Sequence, residues 1–146
     1  MSEFSGKLAD AAGCGVFHLT REPFEIEREA KEAGLFVARI DIGHAHHKGE
    51  FLDHVAKALR FPATFGRNWD ALKDSLTDLE WLDAKGWVLV FEKSKHFGAG
   101  HKHEFDDAMA VLNEAAAAWR EDGKPFWAFI HGAQGWDSGL PKWPAA

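Results

Sequence analysis

The chain has 146 residues, a net charge of −6 with histidines neutral, and 46% hydrophobic residues, including 12 Phe and 7 Trp. That apolar content excludes a disordered chain, and the length suits one domain with its own core. The acidic balance does not provide the basic surface that neutralises phosphates, so direct nucleic-acid binding is not expected and a basic protein partner is favoured. Cys14 is the single cysteine, so no intramolecular disulfide can form, which fits a reducing compartment. No stretch approaches the roughly 20 apolar residues of a membrane span, and residues 1–13 carry no apolar run of signal-peptide length. The expectation is a soluble cytoplasmic protein without membrane contact.

Residues 1–14 are small and polar and read as a loose arm, followed by a candidate strand at 15–19. In REPFEIEREAKEAG, Phe24 or Ile26, Ala30 and Ala33 fall near helical spacing, with Pro23 in the first turn and Gly34 as a stop. Residues 35–42 read as a strand, with Phe36, Ala38, Ile40 and Ile42 on one face. GHAHHKG is a loop. Residues 50–60 read as a helix carrying Phe51, Leu52, Val55, Ala56 and Leu59, ended by Phe61-Pro62. WVLVF at 87–91 is a continuous apolar run, a strand buried on both faces. EKSKHFGAGHKH reads as a charged loop. Residues 104–121 show a 3.6-residue stripe of Phe105, Ala108, Met109, Leu112, Ala115, Ala116 and Trp119, closed by Gly123. FWAFIH at 126–131 is the last strand. Strands alternating with helices imply parallel pairing, so the expected fold is α/β: one domain over 15–131, with a small, mostly parallel sheet covered by helices. The tail, 132–146, has no period; Trp136 and Trp143 either pack on the body or mark a contact surface.

The segment 61–82, FPATFGRNWDALKDSLTDLEWL, holds the clearest local pattern. Asn68 is an N-cap candidate, and Gly66 allows a sharp turn before it. Trp69, Leu72, Leu76 and Leu79 share one helical face, which turns Asp74 away from the core with Asp70 and Asp78 a turn to either side. Acidic residues opposite an apolar stripe are most often a solvated helix face, and Asp70 also suits the positive end of a helix. Charge pattern by itself therefore assigns no function.

The same segment resembles the barstar family, whose binding loop and helix run approximately L-P-x-Y-[YF]-G-x-N-x-D-A-L-x-D-x-L. The matches are Pro62, Phe65, Gly66, Asn68, Asp70, Ala71, Leu72, Asp74 and Leu76, without a gap. The element order over 35–130 agrees too, so the resemblance spans about two-thirds of the chain and leaves an added N-terminal strand and helix and the tail outside it. It implies an inhibitor, not an enzyme, that binds a ribonuclease one to one and occludes its basic active site, with no cofactor. Carried over by position, the partner-binding surface is Thr64, Phe65, Gly66, Asn68, Asp70, Lys73, Asp74 and Thr77. Asp74 is its centre, standing where an RNA phosphate would sit among the enzyme's arginines and histidine. Thr64 stands where the family usually has a tyrosine covering the catalytic histidine, and Lys73 where the best-known member has a tryptophan. Ala117 and Ala118 replace a further acidic contact on the long helix, with Glu114 and Glu121 a turn away. These departures keep open an interaction module binding a non-nuclease partner or toxin.

His44, His46 and His47 share one loop, with Glu50 and His54 beyond, and a metal-dependent hydrolase built on that cluster is the enzyme-class alternative. Zinc needs three or four converging ligands, and neither H-E-x-x-H nor another recognised spacing occurs. The loop reads as solvated and no metal is expected; His96, His101 and His103 in a second loop read the same way. Cys14 has no motif partner and reads as an ordinary small residue.

Overall fold

A computed structural model of the chain describes residues 2–145. Among these, the strands are β1 Val16–Leu19, β2 Phe36–Asp41, β3 Trp87–Glu92, β4 Phe126–Ile130 and β5 Lys142–Trp143. The helices are α1 Glu3–Ala9, α2 Pro23–Glu32, α3 Lys48–Ala58, α4 Trp69–Leu76, α5 Lys95–Gly100 and α6 Lys102–Glu121, with a 3-10 turn at Ala11–Gly13. Every strand pair is parallel, in the order β2-β3-β4-β1-β5. Parallel neighbours need long crossovers, and the helices between the strands supply them.

Strands β3 and β4 show no alternation of apolar and polar residues because both of their faces are buried. Trp87, Leu89, Phe91, Phe126, Ala128 and Ile130 face the larger core, with Phe51, Leu52 and Val55 of α3, Leu72 and Leu76 of α4, and the stripe of α6. Val88, Val90, Trp127 and Phe129 face a second, smaller core with Leu8, Ile26, Ala30 and Trp143. On α2, Ile26 takes the buried position and Phe24 is exposed.

The second core corrects the expectation of a loose arm over 1–14 for residues 2–14; Met1 lies outside the described residues. Leu8 is fully buried, and its carbonyl accepts a 2.8 Å hydrogen bond from Trp127 Nε1. Ser5 donates to Glu32 of α2 at 3.0 Å, and the Arg21 guanidinium lies 4.1 Å from the centre of the Phe4 ring. Arg21 also binds the buried Glu29 carboxylate, with Glu25 at 3.1 Å. The polar look of residues 2–14 hides two apolar anchors, Phe4 and Leu8, that gain a surface to pack on only once the sheet exists.

Helix ends follow the glycine stops at Gly34 (φ 78°) and Gly123 (φ 76°). In each, the following amide reaches five residues back, Leu35 to the Ala30 carbonyl and Lys124 to that of Trp119, both at 3.0 Å. Helix α3 makes the same closure with a non-glycine. Arg60 adopts φ 56° and the Phe61 amide reaches the Ala56 carbonyl at 2.9 Å, so the helix stops at Ala58, before the expected 60. Two other differences concern short elements. The charged loop after β3 contains α5, whose Phe97 is buried, and the tail contributes β5 beside β1. None of the described helices is long and apolar enough to cross a membrane.

Candidate partner-binding site

Helix α4 begins where the sequence asks for it. Asn68 is extended, and its side chain accepts from the Ala71 amide at 2.7 Å, satisfying a donor the helix itself cannot. The left-handed residue of the preceding turn is Arg67 (φ 52°), not Gly66. An arginine is held in that conformation because its guanidinium forks onto the Asp53 carboxylate of α3, at 2.8 and 3.0 Å. That contact holds the Asp53 carboxyl below the usual carboxylate range and ties the loop to α3. On the other side, Phe61 packs edge-on against Phe65 (4.9 Å) and Trp81 (5.9 Å), while the Trp81 indole donates to the Leu59 carbonyl at 2.8 Å. Asn68→Ala should cost about 1 kcal/mol of stability by leaving first-turn amides without this acceptor. Urea unfolding reads it as a lower midpoint, and an unchanged midpoint would deny the cap its role.

Leu72 and Leu76 are fully buried, while Asp70, Lys73 and Asp74 face outward. The carboxylate ridge is shorter than the sequence suggests, because α4 ends at Leu76. Leu79 enters the core from a turn with φ 49°, so Asp78 lies beyond the helix. Asp78 nevertheless shares a cleft of about 290 Å³ with Asp74, whose other walls include Thr64, Phe65, Gly66, Ser75 and Trp81. Of the predicted surface, this cleft brings together Thr64, Phe65, Gly66 and Asp74. Asn68, Asp70, Lys73 and Thr77 lie outside it. Asn68 serves as the cap, Asp70 is exposed, and Lys73 makes a 3.2 Å ion pair with Glu114 of α6. The Thr77 hydroxyl donates to the carbonyls of Lys73 (2.8 Å) and Asp74 (3.2 Å), and so is occupied within the helix end. Ser75, Asp78 and Trp81 complete the cleft from outside the surface that the resemblance implies. Among the described residues, no ion pair engages Asp70, Asp74 or Asp78.

The histidines divide differently from their order in sequence. His44 and His54 line a separate groove with Arg39, Asp41 and Lys57. His47 caps α3, accepting from the Glu50 amide at 3.4 Å. Among the described residues, the group proposed for a hydrolase, His44 to His54, forms no metal-ligand set. Only His46 of that loop joins a converging group, with His96 and His101 of the second loop.

The family model described as barstar, the barnase inhibitor, matches residues 35–131. The chain belongs to the barstar family. The matched span of this barstar-family protein runs from the start of β2 past the end of β4 and contains the whole cleft before and along α4. Helices α1 and α2 and strands β1 and β5 lie outside it, so the second core is built largely by residues beyond the family match. The sequence has no significant match among the curated proteins.

Proposed function

We propose that this barstar-family protein inhibits a ribonuclease by seating the front of α4 and the loop before it in the enzyme's basic active site. The binding is one to one and involves no chemistry on the inhibitor's side. Asp74 stands for an RNA phosphate, Thr64, Phe65 and Gly66 cover the pocket rim, Asn68 and Asp70 meet flanking polar or basic groups, and Lys73 and Thr77 lie at the periphery. The observation that carries this reading is an exposed Asp74 carboxylate on a capped helix, at a cleft, with no cation of its own among the described residues. A ribonuclease site concentrates positive charge to stabilise a transferring phosphoryl group, and a carboxylate held on a rigid helix is complementary to it. The lone, buried Cys14 suits action in the reducing cytoplasm.

The direct test is titration of the protein against RNA cleavage by a panel of small basic ribonucleases, barnase among them. A break at one equivalent with at least one of them is expected; no inhibition of any would leave the second reading. That reading, an interaction module for another basic partner, draws on Thr64 and on Lys73, whose ammonium lies against Glu114.

Electrostatic steering provides a further expectation. With a net charge of −6 and Asp70, Asp74 and Asp78 around the cleft, the association rate should fall about tenfold or more between roughly 50 mM and 500 mM salt, while dissociation changes little. Stopped-flow mixing measures both; a salt-independent association rate rules steering out.

A further inference from the structure

We infer that His46, His96 and His101 form a binding site for a borderline divalent transition ion of the zinc type. One ligand atom from each ring lies within 4.8 Å of the other two. His46 Nδ1 and His96 Nε2 face each other at 2.9 Å, so at least one of these rings is neutral and presents a lone pair inward. The His96 and His101 rings are 5.4 Å apart, centre to centre. Zinc–imidazole bonds of about 2.0–2.1 Å in tetrahedral array set the nitrogens roughly 3.4 Å apart. Side-chain rotation spans the difference, and the ion replaces the proton that His46 and His96 share.

The topology explains why two loops distant in sequence supply one site. Strands β2 and β3 are neighbours in the sheet and parallel, so the loop after each leaves at the same end. His46 lies in the first of these loops; His96 belongs to α5, and His101 is the residue between α5 and α6. Their backbones are held independently of any ion. The His46 amide donates to Glu50 at 3.0 Å, and two residues on, at the start of α3, the Lys48 amide donates to Glu104 of α6, bridging the two segments. The His101 amide reaches the Phe97 carbonyl at 3.0 Å, and its ring stacks at 26° on Phe97, which is fully buried against Phe51. Preorganised backbones limit the ordering cost of binding to the ring rotations. Three imidazoles with no carboxylate among them select against magnesium and calcium, which take oxygen ligands, and favour zinc, nickel or copper. The fourth position faces outward, since His46 and His96 are exposed, and falls to water or to a donor from another molecule.

The test uses the full chain, stripped with chelator, and Zn²⁺ alone as probe in isothermal titration. One ion per chain with a dissociation constant in the micromolar range or below is expected. His46→Ala, His96→Ala and His101→Ala should each weaken binding at least about 100-fold while the far-UV circular dichroism stays that of the parent protein. His103→Ala, a histidine of the same region but outside the group, should leave binding unchanged. Because each of the three ligands is tested separately, a variant that fails to fold is replaced by its neighbours. Absence of stoichiometric binding overturns the assignment. So does retention of binding in folded His96→Ala or His101→Ala, or an equal loss in His103→Ala.

Discussion

Asp74→Ala should weaken inhibition of the target ribonuclease by about 2–5 kcal/mol, roughly 30- to several-thousand-fold in Kd, a range to which the barnase–barstar pair itself contributes. Most of that loss comes from the enzyme's side. Arginines gathered to hold a phosphate are left desolvated and unpaired once the carboxylate that replaced the phosphate is gone. The inhibitor itself should hardly notice. Asp74 is exposed, makes no ion pair among the described residues, and has its neighbours Leu72 and Leu76 fully buried on the opposite side. Its own unfolding free energy should stay within about 0.5 kcal/mol of the parent protein. Asp74→Asn separates charge from shape, since the amide keeps one acceptor oxygen and removes the anion. Asp78→Ala, on the same cleft but beyond the helix, should lose less. Inhibition constants from RNA cleavage assays, with urea unfolding alongside, read all three. Equal inhibition by Asp74→Ala and the parent would move the contact surface elsewhere.

Trp127→Ala should cost about 3–5 kcal/mol of stability, among the largest effects of any single change in this chain. The indole is 1% exposed, stacks on Phe129 at 5.5 Å, meets Trp143 edge-on at 5.7 Å and donates to the Leu8 carbonyl. Truncation leaves a cavity in the smaller core and a buried carbonyl with no donor, and both penalties fall on the same few residues. Trp127→Phe keeps an aromatic ring, loses the donor and leaves a smaller cavity, so a loss between that of a lone hydrogen bond, about 1–2 kcal/mol, and that of Trp127→Ala is expected from it. Urea unfolding measures the two variants, and limited proteolysis within residues 2–14 reports whether the N-terminal helix detaches first. A Trp127→Ala midpoint equal to that of the parent would mean that the N-terminal elements are not part of the cooperative unit. The effect on inhibition should be small for molecules that remain folded, because Trp127 faces away from α4 across the sheet.

Where the pattern in the sequence is local and long, it was legible. The stripe of α6 packs as its spacing predicts, with Phe105, Ala108, Met109, Leu112, Ala115 and Ala116 buried. The Asn68 cap and the outward turn of Asp74 follow from the same helical step, and the two-sided burial of β3 from its unbroken apolar run. What could not be read depends on partners far along the chain. Nothing in 142–143 distinguishes a strand from a tail; two residues carry no period, and only β1 makes them a strand. Phe4 and Leu8 look incidental until the second face of the sheet needs covering. Leu79 keeps its place in the core while α4 stops short of it, because a hydrophobic residue can reach the same pocket from a turn as from a helix. Position along the chain groups the histidines by loop, and the neighbouring of β2 and β3 regroups them. Within the site, the exposed carboxylates were readable from spacing, but the Lys73–Glu114 pair and the Trp81 wall belong to tertiary structure.

Strand β1 lies between β4 and β5, and its partners come more than a hundred residues later, Val16 beside Ala128 and Leu19 beside Trp143. On an emerging polypeptide, then, β1 has no strand to pair with until β4 has appeared. Contacts of such sequence separation form slowly because loop closure must be met before any burial rewards it. The span carrying α4 can assemble earlier, from neighbours, before β1 joins its sheet. Pulsed amide exchange during refolding should accordingly show protection at Leu89 and Val90 well before it reaches Phe17 and His18. Simultaneous protection would mean that β1 joins in the same step.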